Sequence, residues 1–255
     1  MIKLSKRLQT IADLVPPGSR IADIGSDHAL LPTYLAERGI IAFGIAGEVN
    51  EGPFHAADKQ IHEAGVRHVV EARLGNGLQV VSEGEVGVVT IAGMGGSLIA
   101  SILEAGRSKL FSVNRLILQP NVGEDQVREW LIANHWSLTE EHILEEDGKI
   151  YEILCAVPEK AAVVSNDRLY EPRMIGGVRL SRRRLVKMGP YLVERPVDVW
   201  FKKWELELDK MEMICRQLGK SNLPASREKE HELREEMNEI REVLRCLQKD
   251  KPLFK

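Results

Sequence analysis

The chain has 255 residues, 44% of them hydrophobic and 5% aromatic, and a formal net charge of −3, which is enough for one sizeable core plus an appendage. It contains no apolar run of about 18 residues and no N-terminal signal-peptide pattern, so we expect a cytoplasmic protein with no membrane partner. The 3 cysteines form no CxxC pair and the 7 histidines show no zinc-ligand spacing, so neither a disulfide framework nor a metal site is indicated.

The first predicted strand and its loop carry the densest functional signal. A short apolar run predicts a buried strand that ends at Gly25, and Pro32 suits a first helical turn, so residues 26–31 are assigned to a loop. The loop has no further glycine, which disfavours the Gly-x-Gly-x-x-Gly site for a pyrophosphate-bearing cofactor. Acids at Asp23 and Asp27 instead suit a cationic ligand such as S-adenosylmethionine. A tight turn with a solvated acid is the alternative.

The second and third predicted strands also end in polar residues. A strand over residues 41–46 leads to Glu48, at the distance from Gly25 where nucleotide-binding folds place an acid for ribose hydroxyls. A plain surface acid is the alternative. A third strand over residues 69–72 leads to Asn76 between two glycines, which suits either a turn or recognition of an adenine edge.

A fully apolar fourth strand is predicted over residues 87–91, and it is followed by Gly93, Gly95 and Gly96. A steric turn needs only one glycine, so three indicate close approach of a ligand to bare backbone. Met94 between them is either a packing residue or a wall of the cofactor site.

The remaining elements complete a mixed, doubly wound α/β sheet. The predicted helices cover residues 4–15, 32–38, 53–64, 98–106 and 124–134, and the further strands cover 115–119, 136–144 and 150–157, the last two joined by a hairpin loop at 145–149. Ligands of such sheets bind above the carboxyl ends of the strands, which is where Gly25, Glu48, Asn76 and Gly93 all fall.

Charge divides the chain. Residues 1–160 hold 14 Lys and Arg against 22 Asp and Glu, and residues 161–255 hold 21 against 16, giving −8 and +5. We assign residues 1–160 to a cofactor-binding domain, 161–196 to a basic connector and 197–255 to a helical hairpin. The connector contains the basic cluster Arg182, Arg183, Arg184 and Lys187, which favours a phosphate-binding patch over a merely solvated helix face.

Heptad spacing predicts an antiparallel coiled-coil hairpin at the C-terminal end. The apolar positions are Val197, Phe201, Trp204, Leu208, Met211, Cys215 and Leu218, then Leu233, Met237, Ile240, Leu244 and Leu247. The hairpin is either a structural or dimerising arm or part of the substrate site, and the preceding basic segment favours RNA.

Five strings together resemble a known family. They are Ala22–Ala29, Gly47–Asn50, Arg73–Leu78, Ile91–Gly96 and Leu118–Asn121. In this order they are similar to the bacterial tRNA (adenine-22-N1)-methyltransferases, the TrmK family, over about residues 4–157, and the hairpin resembles that family's C-terminal domain. The resemblance implies a Rossmann-like class I S-adenosylmethionine-dependent methyltransferase domain that modifies N1 of an adenosine in the D-stem of tRNA. The family usually has Asp where this chain has Asn76; an amide still offers one acceptor and one donor pair to adenine, so cofactor binding is expected to persist.

Site residues follow from the strand ends together with the resemblance. The cofactor-binding candidates are Asp23, Gly25, Ser26, Asp27, His28, Glu48, Val49, Asn50, Gly75, Asn76, Gly77, Gly93 and Met94. The candidates for positioning the target base are Asp27, His28, Gln119 and Asn121, with no essential base expected. The RNA-binding candidates are Arg7, Arg182, Arg183, Arg184 and Lys187.

Two other classes of function are left open by the sequence. One is a methyltransferase that acts on another RNA or on a small molecule, since it would share the whole cofactor half. The other is a non-catalytic RNA-binding or assembly protein. The oligomeric state is also open, with a monomer favoured.

Overall fold

The computed structural model describes residues 2–221 and 223–249, and it describes residue 249 by its backbone only. Contacts between residues divide the chain into two units, Met1–Leu169 and Tyr170–Lys255. Among the helices of the described part, none has both the length and the apolar character needed to cross a bilayer. No group of three or more His, Cys, Asp or Glu side chains in that part is placed to hold a metal ion.

The first unit alternates strands and helices. In chain order its elements are α1 (Lys6–Asp13), β1 (Ser19–Ile24), α2 (Leu30–Glu37), β2 (Ile41–Glu48), α3 (Glu51–Glu63), β3 (Val70–Leu74), β4 (Val88–Gly95), α4 (Gly96–Ala105), β5 (Arg115–Val122), α5 (Glu124–Ala133), β6 (Trp136–Glu146), β7 (Lys149–Pro158) and α6 (Asn166–Leu169), with short 3₁₀ turns at Gly77–Val80, Arg107–Ser112 and Glu159–Ala161.

The strands form one seven-stranded sheet in the order β3-β2-β1-β4-β5-β7-β6. All neighbours up to β5 pair in parallel, and β7 pairs antiparallel with both β5 and β6. Because the chain order reverses between β1 and β4, a crevice opens outside their carboxyl ends. The predicted mixed, doubly wound sheet is therefore confirmed, with the central strands buried on both faces, as parallel strands are.

Element ends differ from the sequence prediction in physically informative ways. Helix α2 begins at Leu30 rather than Pro32, because Ala29 takes a left-handed conformation and ends the loop early. Pro32 still falls in the first turn, where its missing N–H costs nothing. The hairpin loop is two residues, Asp147 and Gly148, both with positive φ, so β6 and β7 are longer than predicted. The fourth strand is not fully apolar, since it contains Thr90.

A buried ion triad joins the terminal hairpin to α5. The Arg128 guanidinium donates to Glu141 at 2.7 Å and to Glu152 at 2.5 Å, and all three side chains are inaccessible to solvent. A buried charge is tolerated only when it is paired, so these residues hold one another inside.

The second unit contains a small hairpin, β8 (Arg173–Ile175) and β9 (Val178–Leu180), followed by the helices α7 (Arg182–Met188), α8 (Asp198–Leu218) and α9 (Pro224–Lys249). Helices α8 and α9 pack against each other, as the heptads predict. The buried heptad positions are Phe201, Trp204, Met211, Cys215, Met237, Ile240, Leu244 and Leu247. Val197 precedes the helix and is half exposed. Trp200, outside the predicted heptad, is fully buried and donates its indole N–H to the Met188 carbonyl at 3.1 Å.

Candidate active site

Backbone hydrogen bonds tie the ends of β1, β2 and β3 together. The Gly25 N–H donates to the Gly47 carbonyl at 2.9 Å, and the Gly75 N–H donates to the Glu48 carbonyl at 2.8 Å. On the other side of β1, the Gly93 N–H donates to the Gln119 side chain at 3.0 Å. The polar and glycine-rich strand ends identified in the sequence therefore share one edge of the sheet.

Glu48 is the most informative side chain at this edge. It is 7% exposed, and its Oε1 is buried with no hydrogen-bond partner among the described residues. Burial raises the pKa of its carboxyl, the charges of Asp23 and Asp27 add to the rise, and a hydrogen bond from the Asp27 backbone opposes it. A buried acceptor without a donor costs about 1–3 kcal/mol, so this oxygen is suited to a ligand hydroxyl.

Asp23 is also buried, but its oxygens are already occupied. It accepts hydrogen bonds from the hydroxyls of Ser26 and Thr90, both at 2.6 Å. Burial raises the pKa of its carboxyl in spite of these two bonds. Ser26 thus anchors the loop to β1. Thr90 was not among the predicted site residues, although a hydroxyl in an otherwise apolar strand is a signal for such a partner.

The loop between β1 and α2 is left-handed over three consecutive residues. Asp27, His28 and Ala29 have φ of 44°, 64° and 54°. Such conformations cost non-glycine residues of order 1–3 kcal/mol each and persist where the surroundings impose them. The side chains of Asp27 and His28 are mostly exposed, 85% and 60%, so the loop presents both to solvent above the strand ends.

The glycines at the end of β4 and the start of α4 are also required by backbone conformation and packing. Gly93 has φ +78°, and a Cβ on Gly96 would collide with the Gly123 carbonyl oxygen in the turn before α5. Only Gly95 faces open space. The inference that all three permit ligand approach is therefore wrong for Gly96, whose neighbour is the protein's own backbone. Met94 lies where a side chain on Gly25 would be, so its thioether covers the end of β1.

Gly75 and Asn76 follow β3 as expected, with a packing role for the glycine. A Cβ on Gly75 would crowd the Val80 side chain, which also fills the space beside Gly47. Gly77 has φ +55°, which completes the turn. Asn76 is exposed at this edge, and Val49 and Asn50 lie exposed after β2.

Gln119 organises the far side of the crevice. It is fully buried, accepts from Arg7 Nη1 at 2.6 Å and from the Gly93 N–H, and donates to Asn121 Oδ1 at 3.1 Å. Asn121 in turn donates to the Gly93 carbonyl at 2.8 Å and remains exposed. The polar atoms of Gln119 are thus used to hold Arg7, Gly93 and Asn121. The exposed Asn121 amide still has hydrogen-bonding capacity for a ligand in the crevice.

The Arg7 side chain contacts other residues of the first unit instead of forming part of an exposed basic surface. Its guanidinium bonds Gln119 and lies 5.4 Å from the Tyr151 ring centroid. Its predicted phosphate contact is not supported by this placement, because the charge is directed at the end of β5.

Helix α1 is fastened beside the crevice by Glu146 at the hairpin tip. The carboxylate accepts from the backbone N–H of Lys6 at 2.5 Å and of Arg7 at 3.2 Å. Burial raises the pKa of Glu146, but these bonds and one from Ser5 outweigh it, so the net shift is downward. No local sequence pattern indicates this contact, since the residues are about 140 positions apart.

The basic cluster of the second unit is only partly available. Arg184 is buried and paired with Glu236 and Glu239 on α9, and Lys187 is 2.9 Å from Glu236. Predicting Arg184 as a phosphate contact was wrong, because its charge is already neutralised inside the unit. Arg182 and Arg183 are exposed.

Comparison with known proteins agrees with this geometry. A family model described as tRNA (adenine(22)-N(1))-methyltransferase matches residues 21–244. The Bacillus subtilis protein of that name is 43% identical over 95% of this chain and 98% of its own length. The crystal structure of B. subtilis TrmK covers 96% of this chain and 100% of its own, with a TM-score of 0.85 and 40% identity. A Streptococcus pneumoniae structure in complex with S-adenosyl-L-methionine covers 95% of this chain and 100% of its own, with a TM-score of 0.78 and 40% identity.

The doubly wound sheet, its antiparallel terminal hairpin and the crevice at the carboxyl ends of β1, β2 and β4 define a class I S-adenosylmethionine-dependent methyltransferase. The length of the family match and the identity to the B. subtilis protein also identify the family within this class. The chain belongs to the TrmK family of tRNA (adenine(22)-N(1))-methyltransferases.

Proposed function

We propose that this protein transfers a methyl group from S-adenosylmethionine to N1 of the adenosine at position 22 in the D-stem of tRNA. Family membership over nearly the whole chain supports the reaction. The observation in this structure that carries the proposal is the buried oxygen of Glu48, which has no hydrogen-bond partner among the described residues.

The cofactor would be held along the ends of β1, β2, β3 and β4. Glu48 would accept from the ribose hydroxyls, and Asn76 would face the adenine edge. Gly25 and the neighbouring loop with Asp27 and His28 would lie against the amino-acid portion. Asp23 would act indirectly, because its oxygens accept hydrogen bonds from Ser26 and Thr90 and so hold the loop in place. The remaining cofactor candidates are proposed as contacts on the same ground of position: Val49, Asn50, Gly75, Gly77, Gly93 and Met94.

When bound, S-adenosylmethionine supplies an electrophilic sulfonium methyl group. The adenine N1 has a lone pair, so the protein needs no nucleophile of its own and mainly orients the base and excludes water. Because the product base is cationic and loses its proton to water, no dedicated general base is required.

The target base lies in a helical stem and must be unstacked to reach the crevice. Asn121, with its amide on the Gly93 carbonyl, is the candidate for a direct hydrogen bond to the base. Gln119 and Arg7 are proposed as positioning residues behind Asn121, since their polar groups are spent on one another and on the strand ends. Asp27 and His28 stay candidates on the opposite side.

A methylation assay tests the proposal. Purified protein, labelled S-adenosylmethionine and an unmodified tRNA transcript should yield 1-methyladenosine on nucleoside analysis. A matched transcript with guanosine at position 22 should accept no methyl group. Label found in protein or in small molecules of an RNase-treated extract, with none in the transcript, would instead favour another substrate class.

A further inference from the structure

A basic cleft lies on the flank of the first unit and has no part in the cofactor site. It has a volume of about 730 Å³ and is formed by the N-terminal segment, α1, the second half of α2 and β6. Lys3, Lys6 and Arg38 line it, from two separate parts of the chain. No Asp or Glu is among the described residues that line it, although acids outnumber bases in residues 1–160.

The two lysines of the cleft are not consumed by internal pairs, whereas Arg38 forms a long ion pair with Glu37. Among residues 2–221 and 223–249, neither the Lys3 nor the Lys6 ammonium group makes an ion pair or hydrogen bond. Two acids that contact the backbone of lining residues, Glu37 and Glu146, are already engaged. Glu37 accepts from the Ile2 N–H at 3.1 Å and lies 4.0 Å from Arg38, and Glu146 holds the start of α1.

Arg38 is held ready for an anion. Its guanidinium lies over the Tyr34 ring at 3.7 Å from the centroid, and the Tyr34 hydroxyl donates to Gln9 Oε1 at 2.8 Å. Stacking on a fixed ring orients the planar donors of an arginine and reduces the entropy lost on binding. Tyr34 itself is 8% exposed, so its ring offers no face for stacking a nucleobase.

We propose that this cleft binds the sugar–phosphate backbone of the tRNA substrate beside the target adenosine. Three cations spread along a cleft of this size fit several phosphates better than one. The absence of a free aromatic face among the described lining residues favours contact with backbone over bases. Lys6 adjoins Arg7, which contacts Gln119 at the crevice, so the cleft borders the proposed site. The inference rests on the proposed function.

The test measures tRNA binding directly, across salt concentrations and without methyl transfer. The variant Lys3→Gln/Lys6→Gln/Arg38→Gln should reduce the log–log salt slope by about 2, from roughly 0.7–0.9 per lost phosphate contact, and weaken binding at least about tenfold at moderate salt. Calorimetry should give an unchanged affinity for S-adenosylmethionine. If the triple variant is destabilised through Tyr34, the double variant Lys3→Gln/Lys6→Gln keeps the stack and should lose about two thirds of the effect.

A control variant removes the same charge from elsewhere on this unit. Lys59, Arg67 and Arg107 are exposed and line no part of the cleft. The variant Lys59→Gln/Arg67→Gln/Arg107→Gln should keep the wild-type salt slope. Equal slopes for the cleft and control variants would overturn the inference even if the wild type methylates tRNA. A steep, cleft-dependent slope in a protein that never methylates tRNA would instead overturn the proposed function and leave the cleft standing.

Discussion

At the scale of single residues, Glu48 lowers the stability of the free protein and is suited to bind a ligand. Its carboxylate is buried at the end of β2, with one oxygen unpartnered among the described residues. An unsatisfied buried group lowers the stability of the free protein, and it becomes favourable only when a ligand supplies the missing donor. Such a residue is expected at a binding site and has no structural advantage elsewhere.

Glu48→Gln should therefore weaken S-adenosylmethionine binding by roughly 1.5–3 kcal/mol while raising the melting temperature of the free protein at neutral pH. Burial raises the folded-state pKa of this carboxyl, so its contribution to stability is present in acid and lost as pH rises through that pKa. The gain in the variant should thus grow with pH. Calorimetry and thermal melts at several pH values check both effects, and an unchanged dissociation constant would remove Glu48 from the site.

Gly95 and Gly96 form a matched pair for separating packing from ligand contact. Gly96→Ala should destabilise the fold by about 1–3 kcal/mol, because the new methyl group meets the rigid Gly123 carbonyl. Gly95→Ala should fold normally, since its Cβ meets open space. Denaturant unfolding separates the two. Lost methylation in well-folded Gly95→Ala would place a ligand against β4, and equal stability of both variants would contradict the packing explanation. Gly93 is a poorer test, because its positive φ strains any side chain.

At the scale of elements, α1 depends on its attachments. A helix of 8 residues is marginal alone, and this one is capped by Ser5 and held at its N-terminus by Glu146. A negative charge there also complements the helix dipole. The attachment places Arg7 against Gln119, so the hairpin tip positions a group that orders the end of β5.

Glu146→Gln should lower kcat for tRNA methylation with little change in S-adenosylmethionine affinity, because α1 and Arg7 lose their register. The net pKa shift of Glu146 is downward, so the attachment is intact above the ordinary carboxyl pKa and lost as pH falls through the folded value. Steady-state kinetics over acidic pH should show wild-type activity converging on that of the variant. Asp147→Asn, which removes the charge of the adjacent exposed acid in the hairpin loop, is the control. An equal loss of kcat in both variants would show that the loss comes from the change in charge and not from the attachment of α1.

At the scale of the whole molecule, the first unit extends beyond the predicted boundary at residue 160. Asn166 donates to the Trp136 carbonyl at 3.0 Å, and Ser137 donates to the Val164 carbonyl at 2.8 Å. Residues 161–169 therefore belong structurally with the sheet. The functional division into cofactor domain, basic connector and helical hairpin stays a prediction.

Ending the chain after Leu169 should leave S-adenosylmethionine binding largely intact and remove tRNA methylation. The physical reason is that the strand ends lie wholly in the first unit, whereas RNA needs a larger basic surface. Calorimetry and the methylation assay measure the two properties separately. A truncated protein that still methylates tRNA at the full rate would make the second unit structural or regulatory.

The two exposed arginines of α7 give a finer test of the second unit. Arg182→Gln/Arg183→Gln should reduce the salt slope of tRNA binding by about 1.4–1.8, at 0.7–0.9 per phosphate contact. Adding Arg184→Gln should not reduce the slope further and should lower the melting temperature, because it removes a buried cation that pairs with both Glu236 and Glu239. A further fall in slope from the third substitution would show that Arg184 reaches RNA.

Local sequence patterns by themselves determined the order of strands and helices, the doubly wound class and the loops at which polar groups gather. Apolar periodicity and turn residues act over a few positions, so β1 with Gly25, β2 with Glu48 and the paired helices α8 and α9 are readable from the chain. The family resemblance added the reaction, which periodicity alone does not specify.

Only the tertiary structure decided what each polar group faces. Arg7 meets Gln119 across 112 positions, Glu146 meets Lys6 across 140, and Arg184 meets Glu239 across 55. Charges and amides have no sequence periodicity that names their partner, because their partners are set by how distant elements pack. For the same reason Gly96 was read as a ligand contact, whereas its smallness serves the approach of Gly123.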